Sequence, residues 1–361
     1  MIRMFDYQAL LPEIRDDMDQ AFHRVLDSGR LILGPETEAF EREFAAATGA
    51  RYAVAVTSGT MALYVALKAL DIGQDDEVIT VANTCSPTIA AIRMAGAHPV
   101  FVDVDSDTLM MDTGAVSEKV TARTRCILPV HLWGSFVDAS ELNRLSSDLG
   151  IPVVEDCAQA MGTRYADRQA GTFGAMGCFS FYPTKNLGAY GDGGAVVTND
   201  SALAAKLRLI RMYGYDGSAV SEIAGVNARI NELQAAFLRI KLEKFPNWQN
   251  RRLANAEIYN KRLAGIARPK VPDHVVHSYH QYVVLSENRE SVMSNLLQNG
   301  VESGIHYPVP VHRMPAYNEF CVPLPTTESA ATKVLSLPVH EGLVPEQIET
   351  VCRQILKISD F

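Results

Sequence analysis

The chain has no run of lysine and arginine, no C-x-x-C pair and no long uncharged apolar stretch. Each absence removes a class of function. Without a basic patch, and with a formal net charge of −9 over 361 residues, nucleic acid is not an expected partner. An apolar run of roughly 20 residues is what a membrane-spanning helix needs, so no membrane association is expected. The first residues, Met1 to Tyr7, show no hydrophobic signal region, and the expected compartment is the cytoplasm. The six cysteines (85, 126, 157, 178, 321 and 352) are scattered and have no metal spacing with histidine. They read as buried free thiols in a reducing environment, with no metal site. Internal repeats and low-complexity segments are also missing.

What remains is an ordinary globular composition, 47% hydrophobic and 21% charged. At this length a large domain with a smaller one is expected. Residues 11–28 carry apolar side chains at 14, 18, 22, 25 and 26, the rhythm of an amphipathic helix closed by Gly29. A second helix starts at Pro35 and ends near Gly49. From residue 50 strands and helices alternate, with strands near 53–57, 77–81, 98–103, 125–130, 151–155, 177–182 and 194–198. Their continuous Val, Ile and Phe runs suit strands buried on both faces. That is an α/β domain whose ligand site belongs at the carboxyl ends of its strands. A helix from Leu203 to Met212 follows, then a long helical stretch to about 264 that Pro246 is expected to break or kink. A strand (His280 to Leu285), a helix (289–298), another strand and a C-terminal helix (345–357) make an α+β unit. The division expected is 1–249 and 250–361.

The chemistry gathers on Cys178 to Val197, an apolar strand, a turn with Lys185, a loop with glycines at 188, 191, 193 and 194, and a second strand. A lone lysine in such a connection is most often a surface residue. The segment Val153 to Gly162 changes that reading, because a buried strand there ends in Asp156, followed by Gln159. An amine able to bond an aldehyde, beside a buried carboxylate, is what pyridoxal phosphate requires. Thr57-Ser-Gly-Thr60 adds a helix N-terminus with free amides, a plain cap by itself and a phosphate cup in this company. His131 closes a strand and reads as structural, with catalysis as the alternative.

Three segments carry a resemblance: Glu155-Asp-Cys-Ala-Gln-Ala-Met-Gly162, Phe179-Ser-Phe-Tyr-Pro-Thr-Lys-Asn-Leu-Gly188 and Gly225-Val-Asn-Ala-Arg-Ile-Asn-Glu-Leu-Gln-Ala-Ala236. From about residue 10 to the C-terminus the chain resembles the DegT/DnrJ/EryC1/StrS family, pyridoxal-phosphate-dependent aminotransferases of nucleotide-linked keto sugars. The resemblance implies a fold type I aminotransferase-like architecture: a large α/β domain with a central, mostly parallel sheet, plus a smaller α+β C-terminal domain. It implies that Lys185 carries the cofactor and then moves a proton, and that Asp156 pairs with the ring nitrogen. Gln159, Ser58, Gly59, Thr60 and Ser180 join them as cofactor contacts. Asn227 is expected to reach the cofactor phosphate of the other subunit in a homodimer with shared active sites, with Arg229 nearby. Tyr182, Arg229, His306, Tyr307 and His312 are the expected substrate contacts, the last three on the proline-set segment Gly304 to His312.

One position departs from the family pattern. Cys85 stands where many members place an aromatic residue against the cofactor ring, leaving Asn83 and Thr84 as polar candidates. The expected reaction is amination of a nucleotide-linked, dTDP-type keto-6-deoxysugar at C-3, with L-glutamate as donor. The C-3 choice follows the Phe-Tyr-Pro-Thr-Lys-Asn-Leu-Gly form of the lysine segment. Amination at C-4 of a dTDP- or UDP-linked sugar is the alternative. A sugar dehydratase is disfavoured because those relatives replace the lysine with histidine. A regulatory protein is disfavoured because no helix-turn-helix with basic flanks is present.

Overall fold

The computed structural model describes residues 1–217 and 220–358. The last three residues of the expected second unit therefore lie outside the described residues. Strands β1 (Tyr52–Val56), β2 (Glu77–Val81), β3 (His98–Val102), β4 (Thr124–Ile127) and β5 (Val154–Asp156) come first. A short hairpin, β6 (Arg164–Tyr165) and β7 (Arg168–Gln169), precedes β8 (Met176–Ser180) and β9 (Gly194–Thr198). β3, β2 and β4 pair in parallel, and β5, β8, β9 and β1 form a second group. Parallel bridges Ile127–Val153 and Val130–Asp156 join the two, so the strands read β3-β2-β4-β5-β8-β9-β1 across one layer. Only β9 runs against its neighbours in this layer. The expected mostly parallel sheet is found.

Helices α1 (Arg15–Ser28) and α2 (Pro35–Thr48) precede the sheet, and α3 (Gly59–Ala69), α4 (Ser86–Met94), α5 (Ala139–Leu149) and α6 (Ser201–Arg211) alternate with its strands. Strand alternation sorts side chains into two cores. Val54 and Val56 of β1 face the side of Ala66, Ile89 and Ile92 on α3 and α4. Ala53 and Ala55 face Phe40 and Phe44 of α2. On β8 the same rule sends Phe179 to α2, where its ring meets Phe44 edge-on at 5.2 Å, with Phe181 just past the strand at 5.1 Å from Phe44. Ser180, between them, is turned to the other face. The turn holding Lys185 thus sits on an aromatic foundation, each such ring pair adding about 1 kcal/mol beyond its buried area.

α7 (Glu232–Arg262) ties the molecule together. Its first residue is a buried carboxylate that accepts from the amides of Gly34 (2.8 Å), Glu36 (2.8 Å) and Thr37 (2.9 Å). α2 has no side-chain cap of its own, and Glu232 supplies one from 198 residues away. Farther along, α7 runs unbroken through Pro246, so the expected break does not occur. Proline removes one backbone bond there, and burial of Phe245 and Trp248 on either side keeps the helix continuous.

The C-terminal part of α7 enters a third core. Ala256, Tyr259 and Leu263 pack there with β11 (Tyr282–Leu285), α8 (Arg289–Gln298), β12 (Val334–Leu337) and α10 (Pro345–Ile355). A two-residue strand, β10 (Val275–Val276), precedes β11 and pairs with β6. The chain crosses between the cores more than once. Ile2 bridges to Val301 in the third core, whereas α9 (Pro325–Lys333) returns to the first, its Thr326 and Thr327 amides each 2.9 Å from the Asp103 carboxylate. Among the described residues no helix is long and apolar enough to cross a membrane.

Candidate active site

A cavity of about 430 Å³ opens at the carboxyl ends of β1, β5 and β8, lined by Ser58, Gly59, Thr60, Asp156, Ser180 and Lys185 among others. One wall is the N-terminus of α3. Ser58 caps that helix, its Oγ accepting from the Met61 amide at 3.2 Å. The first-turn amides of Gly59 and Thr60 have no intrahelical acceptor, as geometry requires. Glycine is needed at 59, because a Cβ there would stand 2.6 Å from the Ser180 Cβ. Ser180 and the helix end therefore meet, forming a cup of hydroxyls and amides suited to a phosphate.

Asp156 ends β5 on the opposite wall. Its Oδ1 accepts from the Ala158 amide at 3.0 Å and its Oδ2 from the Thr88 hydroxyl at 2.9 Å. Thr88 in turn lies 2.7 Å from the Thr84 hydroxyl. Each oxygen so engaged keeps acceptor capacity for one more donor. Burial pushes the Asp156 carboxyl above its ordinary value, against the Ala158 and Thr88 hydrogen bonds and the charge of Lys185. Burial also draws the Lys185 amine below its ordinary 10.5, with Asp156 and Cys85 acting the other way. A cup for an anion, an incomplete carboxylate and a lysine of lowered basicity share one cavity. These residues fit pyridoxal phosphate.

The remaining wall comes from the C-terminal half of the chain. The Gln159 amide is oriented by two bonds, Oε1 accepting from the Trp133 amide at 2.8 Å and Nε2 donating to the Tyr307 hydroxyl at 2.9 Å. The Trp133 indole donates to the His306 carbonyl at 2.9 Å. His306 Nδ1 lies 2.9 Å from Ser336 Oγ, and burial, helped by Lys185, lowers its pKa to about 4. Burial raises the Tyr307 hydroxyl above its ordinary value, and the next cause is Cys85, whose thiol it meets. Cys85 itself lines the cavity. Cys85, read as departing from the family pattern, thus lies in the cavity with Tyr307 beside it.

Other expected site residues lie elsewhere. Tyr182 sits at the rim, 52% exposed. Asn227 and Arg229 are outside this cavity; Arg229 Nε donates to Asn227 Oδ1 at 2.9 Å, and its guanidinium rests over Tyr213. His312 is fully buried against α9, its Nε2 3.0 Å from Glu328 Oε1. The segment turns into a 3-10 helix at Val311, and this takes His312 away from the cavity that His306 and Tyr307 line. Asn83 donates to the Leu109 carbonyl at 3.2 Å.

His131 is structural. Its ring stacks on Phe136 at 4.0 Å, Nδ1 accepts from the Val137 amide at 3.2 Å, and Nε2 lies 2.9 Å from Glu155 Oε2. With Glu155 and Cys157 it forms a buried trio whose potential ligand atoms lie within 4.8 Å of one another. The His131 and Glu155 atoms are already engaged. Glu155 Oε2 also takes the Gly171 amide, and Oε1 takes the amides of Phe173 and Gly174, all at 2.7–2.8 Å. Two polar residues of the cavity had no sequence signal: Thr88, in the first turn of α4, and His280, two residues before β11.

An amine, a carboxylate and a cup for an anion share one cavity at the strand ends of this sheet. Residues 12–356 match the DegT/DnrJ/EryC1/StrS aminotransferase family, and the chain belongs to it. It is an aminotransferase. The chain is 44% identical over 348 residues to the dTDP-3-amino-3,4,6-trideoxy-alpha-D-glucose transaminase of Streptomyces venezuelae, covering 95% of this chain and 92% of that one. It is 39% identical over 354 residues to the UDP-2-acetamido-2-deoxy-3-oxo-D-glucuronate aminotransferase of Pseudomonas aeruginosa, covering 98% and 99%. Among solved structures it is similar to S. venezuelae DesV in complex with a ketimine intermediate, with a TM-score of 0.95 at 43% identity over 98% of this chain and 96% of that one.

Proposed function

We propose that this chain is a pyridoxal-phosphate-dependent nucleotide-sugar aminotransferase that aminates C-3 of a dTDP-linked keto-6-deoxysugar, with L-glutamate as donor. The cavity that joins Lys185, Asp156 and the Ser58–Thr60 cup carries this reading. Both named relatives are described by chemistry at position 3, one on a dTDP sugar and one on a UDP sugar, which supports C-3 more strongly than the nucleotide. In this reading the α3 N-terminus and Ser180 hold the cofactor phosphate, Asp156 meets the ring nitrogen, and Lys185 Nζ is the point of attachment. When bound, pyridoxal phosphate supplies an aldehyde carbon that carries the amino group and a ring that withdraws electrons. Lys185 Nζ, its basicity lowered by burial, takes up and returns the proton. Asp156 keeps the neighbouring nitrogen protonated. His306, Tyr307 and rim residue Tyr182 face the space left for the sugar.

The test is purified protein with L-glutamate against a panel of dTDP- and UDP-linked 3-keto and 4-keto sugars, products read by mass spectrometry and NMR. Turnover confined to 4-keto sugars overturns the C-3 reading. Borohydride reduction and peptide mapping should place the cofactor on Lys185 alone.

The proposal includes a homodimer in which Asn227 serves the partner's cofactor phosphate. Asn227 lies outside the cavity of its own chain, and large apolar side chains (Phe22, 42% exposed; Leu26, 48%) remain on the α1 surface. Lys185→Ala and Asn227→Asp, each inactive, should regain activity when their subunits exchange, since one mixed site then carries both defects and the other none.

A further inference from the structure

Asp156 ends a chain of hydroxyls. Thr88 Oγ1 lies 2.9 Å from its Oδ2, and Thr84 Oγ1 lies 2.7 Å from Thr88 Oγ1. All three residues are buried and line the cavity that holds Lys185. Thr84 stands two residues before α4 and Thr88 in its first turn, places from which a hydroxyl often bonds the helix backbone. Here α4 has no side-chain cap, and among the described residues neither hydroxyl bonds a backbone group. Both are directed at the end of β5 instead. The carboxylate fixes the direction of the chain. When ionised it only accepts, so Thr88 gives its single hydrogen to Asp156. Thr88 can then only accept in the 2.7 Å contact, and Thr84 is the donor there.

We propose that Thr84 and Thr88 form a one-way hydroxyl relay that keeps Asp156 ionised, with Thr84 the positioning residue at its far end. Donation by Thr84 polarises the Thr88 O–H toward Oδ2, so the bond on the carboxylate is stronger than an isolated one. A proton arriving on Oδ2 would have to turn both hydroxyls round, and the relay opposes it. Burial acts the other way, lifting the carboxyl above its ordinary value. Thr84, a polar candidate by sequence, thus serves the site through the carboxylate. The inference rests on Asp156 as the partner of the cofactor's ring nitrogen, which the turnover of Asp156→Ala tests separately.

The carboxyl can be followed without cofactor. Full-length, cofactor-free protein with isotope-labelled aspartate carboxyls is titrated by NMR, and Asp156→Asn identifies the Asp156 signal by its loss. Thr88→Val removes the direct donor and should raise the midpoint by about one pH unit. Thr84→Val removes only the polarising donor and should raise it by about half a pH unit. Thr84→Ser keeps the hydroxyl and should stay at the wild-type midpoint. In the Thr88→Val background, Thr84→Val should add nothing, because the relay has no other route to the carboxyl. The ionisable neighbours of Asp156, namely Lys185, His131, Cys157, Cys178 and Tyr307, are the same in all these variants. An unchanged or lowered midpoint in Thr84→Val overturns the proposal, as does a rise that Thr84→Ser shares or that persists in the double variant. No cofactor, sugar or donor is present, so a wrong assignment of the reaction leaves this result untouched.

Discussion

Glu155 and Asp156 are neighbours on β5 and almost equally buried, and strand alternation sends them to opposite faces of the sheet. Glu155 receives four donors, two on each oxygen, from His131 and the amides of Gly171, Phe173 and Gly174. Asp156 receives two, one on each oxygen. Burial raises both carboxyls. For Glu155 the hydrogen bonds and the His131 ring overcome burial and hold it below its ordinary 4.5; for Asp156 they do not, and it stays above its ordinary 3.8. The protein completes one carboxylate and leaves the other unfinished. A finished one stabilises the fold, and an unfinished one has room for a ligand's donor.

The largest effect should come from the unfinished member. Asp156→Ala is expected to lower turnover by about 10²–10³-fold, with no loss of melting temperature. Near-normal turnover would reduce Asp156 to a strand-end carboxylate. Glu155→Gln should do the reverse. Its amide nitrogen would face backbone donors, costing about 3 kcal/mol of stability and several degrees of melting temperature while the cavity chemistry persists. Thermal unfolding beside a turnover assay separates the two.

Thr88→Val removes one donor from Asp156 and should reduce turnover about tenfold, with a normal melting temperature. The smallest effects concern pH. In cofactor-free protein near neutrality, Glu155→Gln should melt below wild type and Asp156→Asn above it. The stabilisation from Glu155, whose folded pKa is depressed, is present above its unfolded value and lost as pH falls through the folded one. The penalty from Asp156, whose folded pKa is raised, is present above the folded value and gone below the unfolded one. Both gaps should therefore close on acidification, from opposite sides. Gaps of the same sign at neutral pH would show that the two carboxylates are not opposed.

Much of this site was legible because its parts end strands or begin helices. Asp156 closes an apolar run, Ser58 to Thr60 opens a helix, and Lys185 follows β8, so local pattern placed them at one end of a parallel sheet. The misses are contacts that no local pattern encodes. Thr88 reaches Asp156 across 68 positions, and His280 reaches Asn186 across 94. His312 shared a stiff segment with His306 and Tyr307, and only the turn at Val311 separates them. Pro246 was read as a break or a kink because propensity is local, and the packing that keeps the helix continuous comes from two cores.

That helix has a mechanical consequence. At 31 residues α7 is about 46 Å long, a single stiff rod with one end in the core against α2 and the other in the C-terminal core, where many proteins have a flexible loop. The proline leaves the Leu242 carbonyl without its usual rung partner, so the rod is most compliant just before Gln249, whose side chain meets Asn186. Any flexing of one core against the other is thereby geared to the turn that carries Lys185.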